Sequence, residues 1–132
     1  MNIGLKAFAE YQQTNAATAV VDASPHQLTL LLLKALMDKI SIAMGAIERN
    51  DIPLRVTSVS KAIDIVIELK STLNLEKGGD VAGELDRLYQ FSLDQLLDAN
   101  LQSDATKLLA VREVIGTINE AWVQIVPSRG GR

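Results

Sequence analysis

The chain has 132 residues, 48% of them apolar and 22% charged, a balance that suits one folded domain and excludes a disordered chain. It has no cysteine and a single histidine, which excludes disulfides, thiolate metal sites and multi-histidine metal sites. A net charge of -3, with 13 scattered lysines and arginines, excludes the dense basic stripe that a nucleic-acid partner needs.

Residues 1–23 stand apart from the rest. Ile3, Ala7, Phe8 and Tyr11 recur at helical spacing and predict a short amphipathic helix, whereas Gln12 to Ala23 is mostly Gln, Thr, Asn, Ala and Val. This segment reads as an N-terminal arm or lid. No apolar stretch of signal-peptide length precedes Glu10, and the densest apolar run, Leu28 to Leu33, stops at Lys34, far short of the roughly 20 residues that span a bilayer. The expectation is a cytoplasmic protein with no membrane insertion.

From Ser24 onward the punctuation is regular. Ser24 caps a first helix, Pro25 sits in the first turn where its missing N–H is harmless, and Gln27 can complete a capping box. That helix is predicted to run to about Asn50. Asp51 caps a second helix with Pro53 in its first turn, running to about Asn74 and halted by Gly78 and Gly79. Asp80 opens a third helix ending near Leu101, and Ser103 and Asp104 cap a fourth that Pro127 terminates. No segment alternates with period two. The predicted fold is all-α: an antiparallel up-down four-helix bundle over residues 24–127, with a short N-terminal helical arm and a flexible tail over 128–132.

A bundle helix needs an apolar stripe little more than ~100° wide. The fourth helix meets that rule, with Leu108, Val111, Ile115, Ile118 and Trp122 on one face. The first and second helices exceed it, each with an apolar arc of about 200°. The surplus flank positions, Leu30, Leu31 and Ile42 on the first helix and Ile65, Val66 and Leu69 on the second, are therefore candidate partner-binding residues. Phe8 and Tyr11 in the arm are candidates for a movable cover over them. A partner helix lying in a groove and a symmetric second copy both use such surface, so a homodimeric helical adaptor or structural protein is the alternative.

Catalytic chemistry finds no constellation. His26 has no acid partner nearby in sequence, and the carboxylate pairs Asp64–Glu68 and Asp94–Asp98 lack the Glu-x-x-His motifs of a bundle di-metal site. They read as solvated faces. Gly78-Gly79 has neither the preceding strand nor the GxxxxGK[ST] pattern of a phosphate loop. No catalytic residue, no cofactor and no metal is expected.

Several segments taken together resemble one family. Phe8 and Tyr11-Gln12-Gln13, Ala23-Ser24-Pro25-His26-Gln27-Leu28, Leu73-Asn74-Leu75-Glu76-Lys77-Gly78-Gly79, Leu88-Tyr89, Ala99-Asn100-Leu101 with Asp104, and Glu120-Ala121-Trp122 follow the order and spacing of the flagellin export chaperones, the FliS family. The resemblance covers nearly the whole chain. It implies a cytoplasmic chaperone that binds the C-terminal helical segment of flagellin, prevents premature polymerisation and aggregation, and delivers flagellin to the flagellar type III export apparatus. A component of the export gate is a further partner within that expectation, and the arm around Phe8 and Tyr11 would lie against the surface that flagellin uses. Two positions depart from the family pattern: Leu33-Lys34-Ala35 stands where an aromatic, Asp or Asn, then Gly are common, and Gly83 replaces a larger polar residue.

Overall fold

Ser24 opens the first helix through a reciprocal cap. Its hydroxyl accepts from Gln27 N–H at 3.2 Å while Gln27 Oε1 accepts from Ser24 N–H at 3.0 Å. Two otherwise unsatisfied donors are thereby paired, and Pro25 removes a third. In the computed structural model, residues 24–125 are described, except for the side chains of Leu75 and Lys77. They form α1 (Pro25–Glu48), α2 (Ile52–Ser71), α3 (Leu75–Gln102) and α4 (Ala105–Gln124), with no strand among them.

The turns after α1 and α3 share one design. Asn50 and Ser103 adopt positive φ of 57° and 53°. The next residue's N–H then reaches back five positions, Asp51 to Ala46 O at 2.8 Å and Asp104 to Ala99 O at 3.2 Å. This left-handed closure satisfies carbonyls at the helix end. Asp51 and Asp104 at once become the caps of α2 and α4, accepting from Leu54 N–H at 3.1 Å and Thr106 N–H at 2.9 Å. The two hydrogen bonds from Thr106 hold the Asp104 carboxyl below its ordinary pKa.

The double glycine does different work from that expected. α2 ends at Ser71, where the Thr72 N–H closes on Leu69 O at 3.2 Å, ahead of the glycines. One further helical turn begins at Leu75, and Gly79 breaks it with φ 56° and ψ -132°, a conformation that only glycine adopts without strain. The break therefore lies within α3, where it redirects the chain before the long straight portion begins.

The helices form an antiparallel ring in which each packs on its neighbours in sequence and α4 closes against α1. The core between them consists of Leu32, Leu33, Leu36 and Ile40 from α1, Val59, Ile65, Val66 and Leu69 from α2, Tyr89 and Leu96 from α3, and Leu108, Val111 and Ile115 from α4. Alanines at 35, 43, 62 and 99 are fully buried and let helices approach closely. Ser58 and Ser92 are also buried, and their hydroxyls donate back to Leu54 O at 2.6 Å and Leu88 O at 2.9 Å, so neither is left unsatisfied. Burial pushes the Tyr89 hydroxyl up to about 12. No helix of the described residues is long and apolar enough to cross a membrane.

Candidate partner-binding surface

Two polar contacts fix how α2 lies against α3. Near one end Arg55 donates to Asn100 Oδ1 at 3.3 Å and to the Ser103 hydroxyl; near the other, Lys70 pairs with Asp86 at 2.8 Å. The pairs run in opposite sequence directions, so the register of the whole groove follows from them. Ile52, Val56, Ile63 and Ile67 share an arc of about 60° with Lys70, at 100° per residue. That arc is the α3 side of α2. On α3, Leu93, Leu97 and Leu101 share the arc of Asp86 in the same way.

The two edges thus converge on one groove, and most of it is open to solvent. Ile52 is 58% exposed, Val56 41%, Ile67 47%, Leu97 51% and Leu101 83%. Ile63 and Leu93 are half-buried and pack on the core, giving the groove an apolar floor. Scattered single apolar residues need no explanation, but a two-sided line of them is a candidate interaction surface. A smaller depression of about 270 Å³ lies between α3 and α4, lined by Leu88, Glu113, Val114, Thr117 and Ile118. It holds one carboxylate, and the Thr117 hydroxyl already donates to Glu113 O at 3.0 Å.

The surplus sits partly where it was expected and partly elsewhere. Ile65, Val66 and Leu69 are 1%, 0% and 0% exposed and belong to the core, which corrects their assignment to a flank. They occupy the same arc as Val59 and Ala62, and the exposed flank of α2 adjoins that arc on the side away from Ile65, at Ile52, Val56 and Ile67. On α1, Leu30, Leu31 and Ile42 are half-buried, and no large apolar residue of that helix is exposed. Phe8 and Tyr11 lie outside the described residues. Sequence reasoning missed α3 as a contributor; the four-residue spacing of Leu93, Leu97 and Leu101 was the available signal. The unusual Leu33-Lys34-Ala35 segment presents only Lys34 to solvent, because Leu33 and Ala35 are fully buried.

The polar candidates separate similarly. Glu68 is 8% exposed, so the carboxylate read as solvated is buried. Asp98 pairs with Lys107 at 3.8 Å, and Asp94 accepts from Gln90 at 3.1 Å. Among the described residues no cluster of three His, Cys, Asp or Glu could hold a metal ion. His26 is stacked on Trp122 with ring centroids 5.6 Å apart, and the Trp122 indole N–H donates to His26 O at 3.3 Å. This joins the start of α1 to the end of α4, 96 residues away in sequence. Lys39 on α1 is held below its ordinary pKa by burial and by Lys61 across the α1–α2 contact, partly offset by Asp38.

Comparison with known proteins bears on the same chain. The family model described as "Flagellar protein FliS" matches residues 7–129. The flagellar secretion chaperone FliSB of Pseudomonas aeruginosa is 36% identical over 118 residues, covering 89% of this chain and 94% of the relative. The flagellar secretion chaperone FliS of Salmonella typhimurium is 38% identical over 125 residues, 94% of this chain and 90% of the relative. The flagellar secretion chaperone FliS of Vibrio cholerae is 35% identical, with 89% and 86% covered. Such proteins act by binding and not by catalysis, in keeping with a surface built of apolar edges. A match that spans residues 7–129, all four helices included, places this chain in the flagellar protein FliS family.

Proposed function

We propose that this protein is a flagellar secretion chaperone that binds the C-terminal helical segment of flagellin, keeps it from polymerising or aggregating, and hands it to the flagellar export apparatus. The observation that carries the reading is the exposed α2–α3 groove, whose edges Ile52, Val56, Ile67, Leu97 and Leu101 remain uncovered. An amphipathic helix presents apolar residues at i, i+3, i+4 and i+7, and a two-edged apolar groove is the surface that takes them. The relatives' names, flagellar secretion chaperones, support a cargo of the flagellar export system, and flagellin as that cargo is what the family resemblance of the sequence implies. Residues 1–23, with Phe8 and Tyr11, would cover the surface until flagellin displaces them. Binding of this kind occurs before export and therefore in the cytoplasm, and the loaded complex would be what the export gate receives.

The experiment is a binding titration of the purified chain with full-length flagellin and with flagellin lacking its C-terminal tail. One-to-one binding to the first and none to the second is expected; equal binding to both sinks the proposal. Sedimentation of the free chain separates the homodimer reading, which requires a dimer that persists on dilution.

A further inference from the structure

Charge is placed unevenly along the α2–α3 groove. Its ends are closed by the contacts that set the register, Arg55 with Asn100 and Ser103 at one and Lys70 with Asp86 at the other. From Ile52 to Ile67 the α2 wall runs about 22 Å, room for about four turns of a docked helix. Between those ends, among the described residues, the charged side chains bordering the groove are Asp64 and Asp94. Asp64 lies about 60° round α2 from Ile67, and Asp94 about 60° round α3 from Leu97, each on the solvent side of its wall. The register brings the two to within about one turn of each other along the groove. Asp64 is half-buried and Asp94 exposed, with Ile63 and Leu93 forming the apolar floor between the walls.

The nearby bases are turned away or already engaged. Lys61, one turn before Asp64, sits a further 60° or so round α2 toward α1, where its charge acts on Lys39. Glu68 is buried on that same side. Arg87 pairs with Glu84, and Lys107 pairs with Asp98 at 3.8 Å on the α4 side of α3. Arg55 donates to Asn100 and Ser103, about 9 Å along α3 from Asp94. Asp94 itself accepts only from the neutral Gln90 amide, at 3.1 Å. The middle of the groove is thus apolar at its floor and walls and acidic on both outer flanks. A helix fits such a surface when bases border its apolar stripe, as e and g residues border an a/d seam.

We propose that Asp64 and Asp94 set the selectivity of the α2–α3 groove, which takes an amphipathic helix with lysine or arginine on both flanks of its apolar stripe at mid-length and disfavours one with acidic flanks. The inference rests on this groove being the cargo surface proposed above, and it adds the charge that the cargo carries there. A second copy of this chain docked groove to groove is a poor occupant, since it would set Asp64 and Asp94 against themselves.

The test uses two synthetic three-heptad peptides with leucine at a and d, one with lysine at the central e and g positions and its twin with glutamate there. Calorimetric titration of the full chain at low salt should show the lysine peptide binding about tenfold more tightly than its twin, a ratio that shrinks as salt screens the flanking charges. Asp64→Asn with Asp94→Asn should bring the twins within about twofold of each other and weaken full-length flagellin about fivefold. Asp64→Lys with Asp94→Lys should reverse the order of the twins, with circular dichroism checking the fold. Val56→Asp with Leu97→Asp should abolish binding of the lysine peptide and of flagellin. If it leaves both bound, the groove is not the cargo surface and the chaperone reading of it falls together with this inference. If it abolishes flagellin binding, the inference alone is overturned by any of three results: neither peptide binds, the twins bind equally or keep their order in the lysine double variant, or flagellin is indifferent to the asparagines.

Discussion

Ile65 illustrates how far a single position can depart from its sequence pattern. On the helical wheel of α2 it sits at the edge of an apolar arc of about 200°, where either core or flank is admissible. In the fold it is 1% exposed, within a cluster that includes Val66 and Leu69. Ile65→Asp should therefore cost more than about 3 kcal/mol, by burying a charge and losing apolar packing, and thermal denaturation should show a collapse in Tm. An unchanged Tm would return Ile65 to the surface. Tyr89 gives a second measurable consequence. Its hydroxyl is pushed up to about 12 by burial, so the folded state keeps its proton after the unfolded chain has lost it near pH 10. The contribution of Tyr89 is thus complete below about pH 10 and is lost as pH rises toward 12, by an amount of order 2 kcal/mol. Denaturant melts of the native chain and Tyr89→Phe across pH 9 to 12 should diverge in that window, with the variant flatter; parallel curves would refute the assignment.

At the scale of the helices, the sequence was most legible at starts. The Ser24, Asp51 and Asp104 caps were readable because a cap is a local bond between a side chain and a backbone only a few residues away. Ser24→Ala should cost about 1 kcal/mol, read from a chemical denaturation midpoint. Helix ends were less legible. Gly78 and Gly79 read as the stop of the second helix, yet α2 had already ended at Ser71 and the break falls inside α3. A glycine pair states that the backbone will turn, but not which of two adjoining helical segments keeps it. Gly79→Ala should destabilise the fold by about 1 to 2 kcal/mol, because a Cβ is strained at its positive φ. A neutral outcome in the same denaturation assay would mean that this turn relaxes freely.

Over the whole molecule, the groove between α2 and α3 depends on which face of each helix turns inward. Because Val56 and Leu97 are exposed at 41% and 51%, Val56→Asp with Leu97→Asp should change stability by only about 1 kcal/mol while abolishing flagellin capture in the titration above. Joint loss of folding and binding would instead place both residues in the core. The existence of four helices and their antiparallel order were determined by the sequence itself, since caps, turns and the 3.6-residue period are local properties. The surplus of apolar surface was also written there, because counting residues around a helix needs no neighbour. Where that surplus lies was decided only by the tertiary structure. Each helix can rotate about its axis to bury any part of a wide apolar arc, and the choice is made by contacts distant in sequence, such as Arg55 with Asn100 and Trp122 with His26. Those contacts turned Ile65, Val66 and Leu69 inward and left Ile52, Val56 and Ile67 facing solvent beside Leu97 and Leu101.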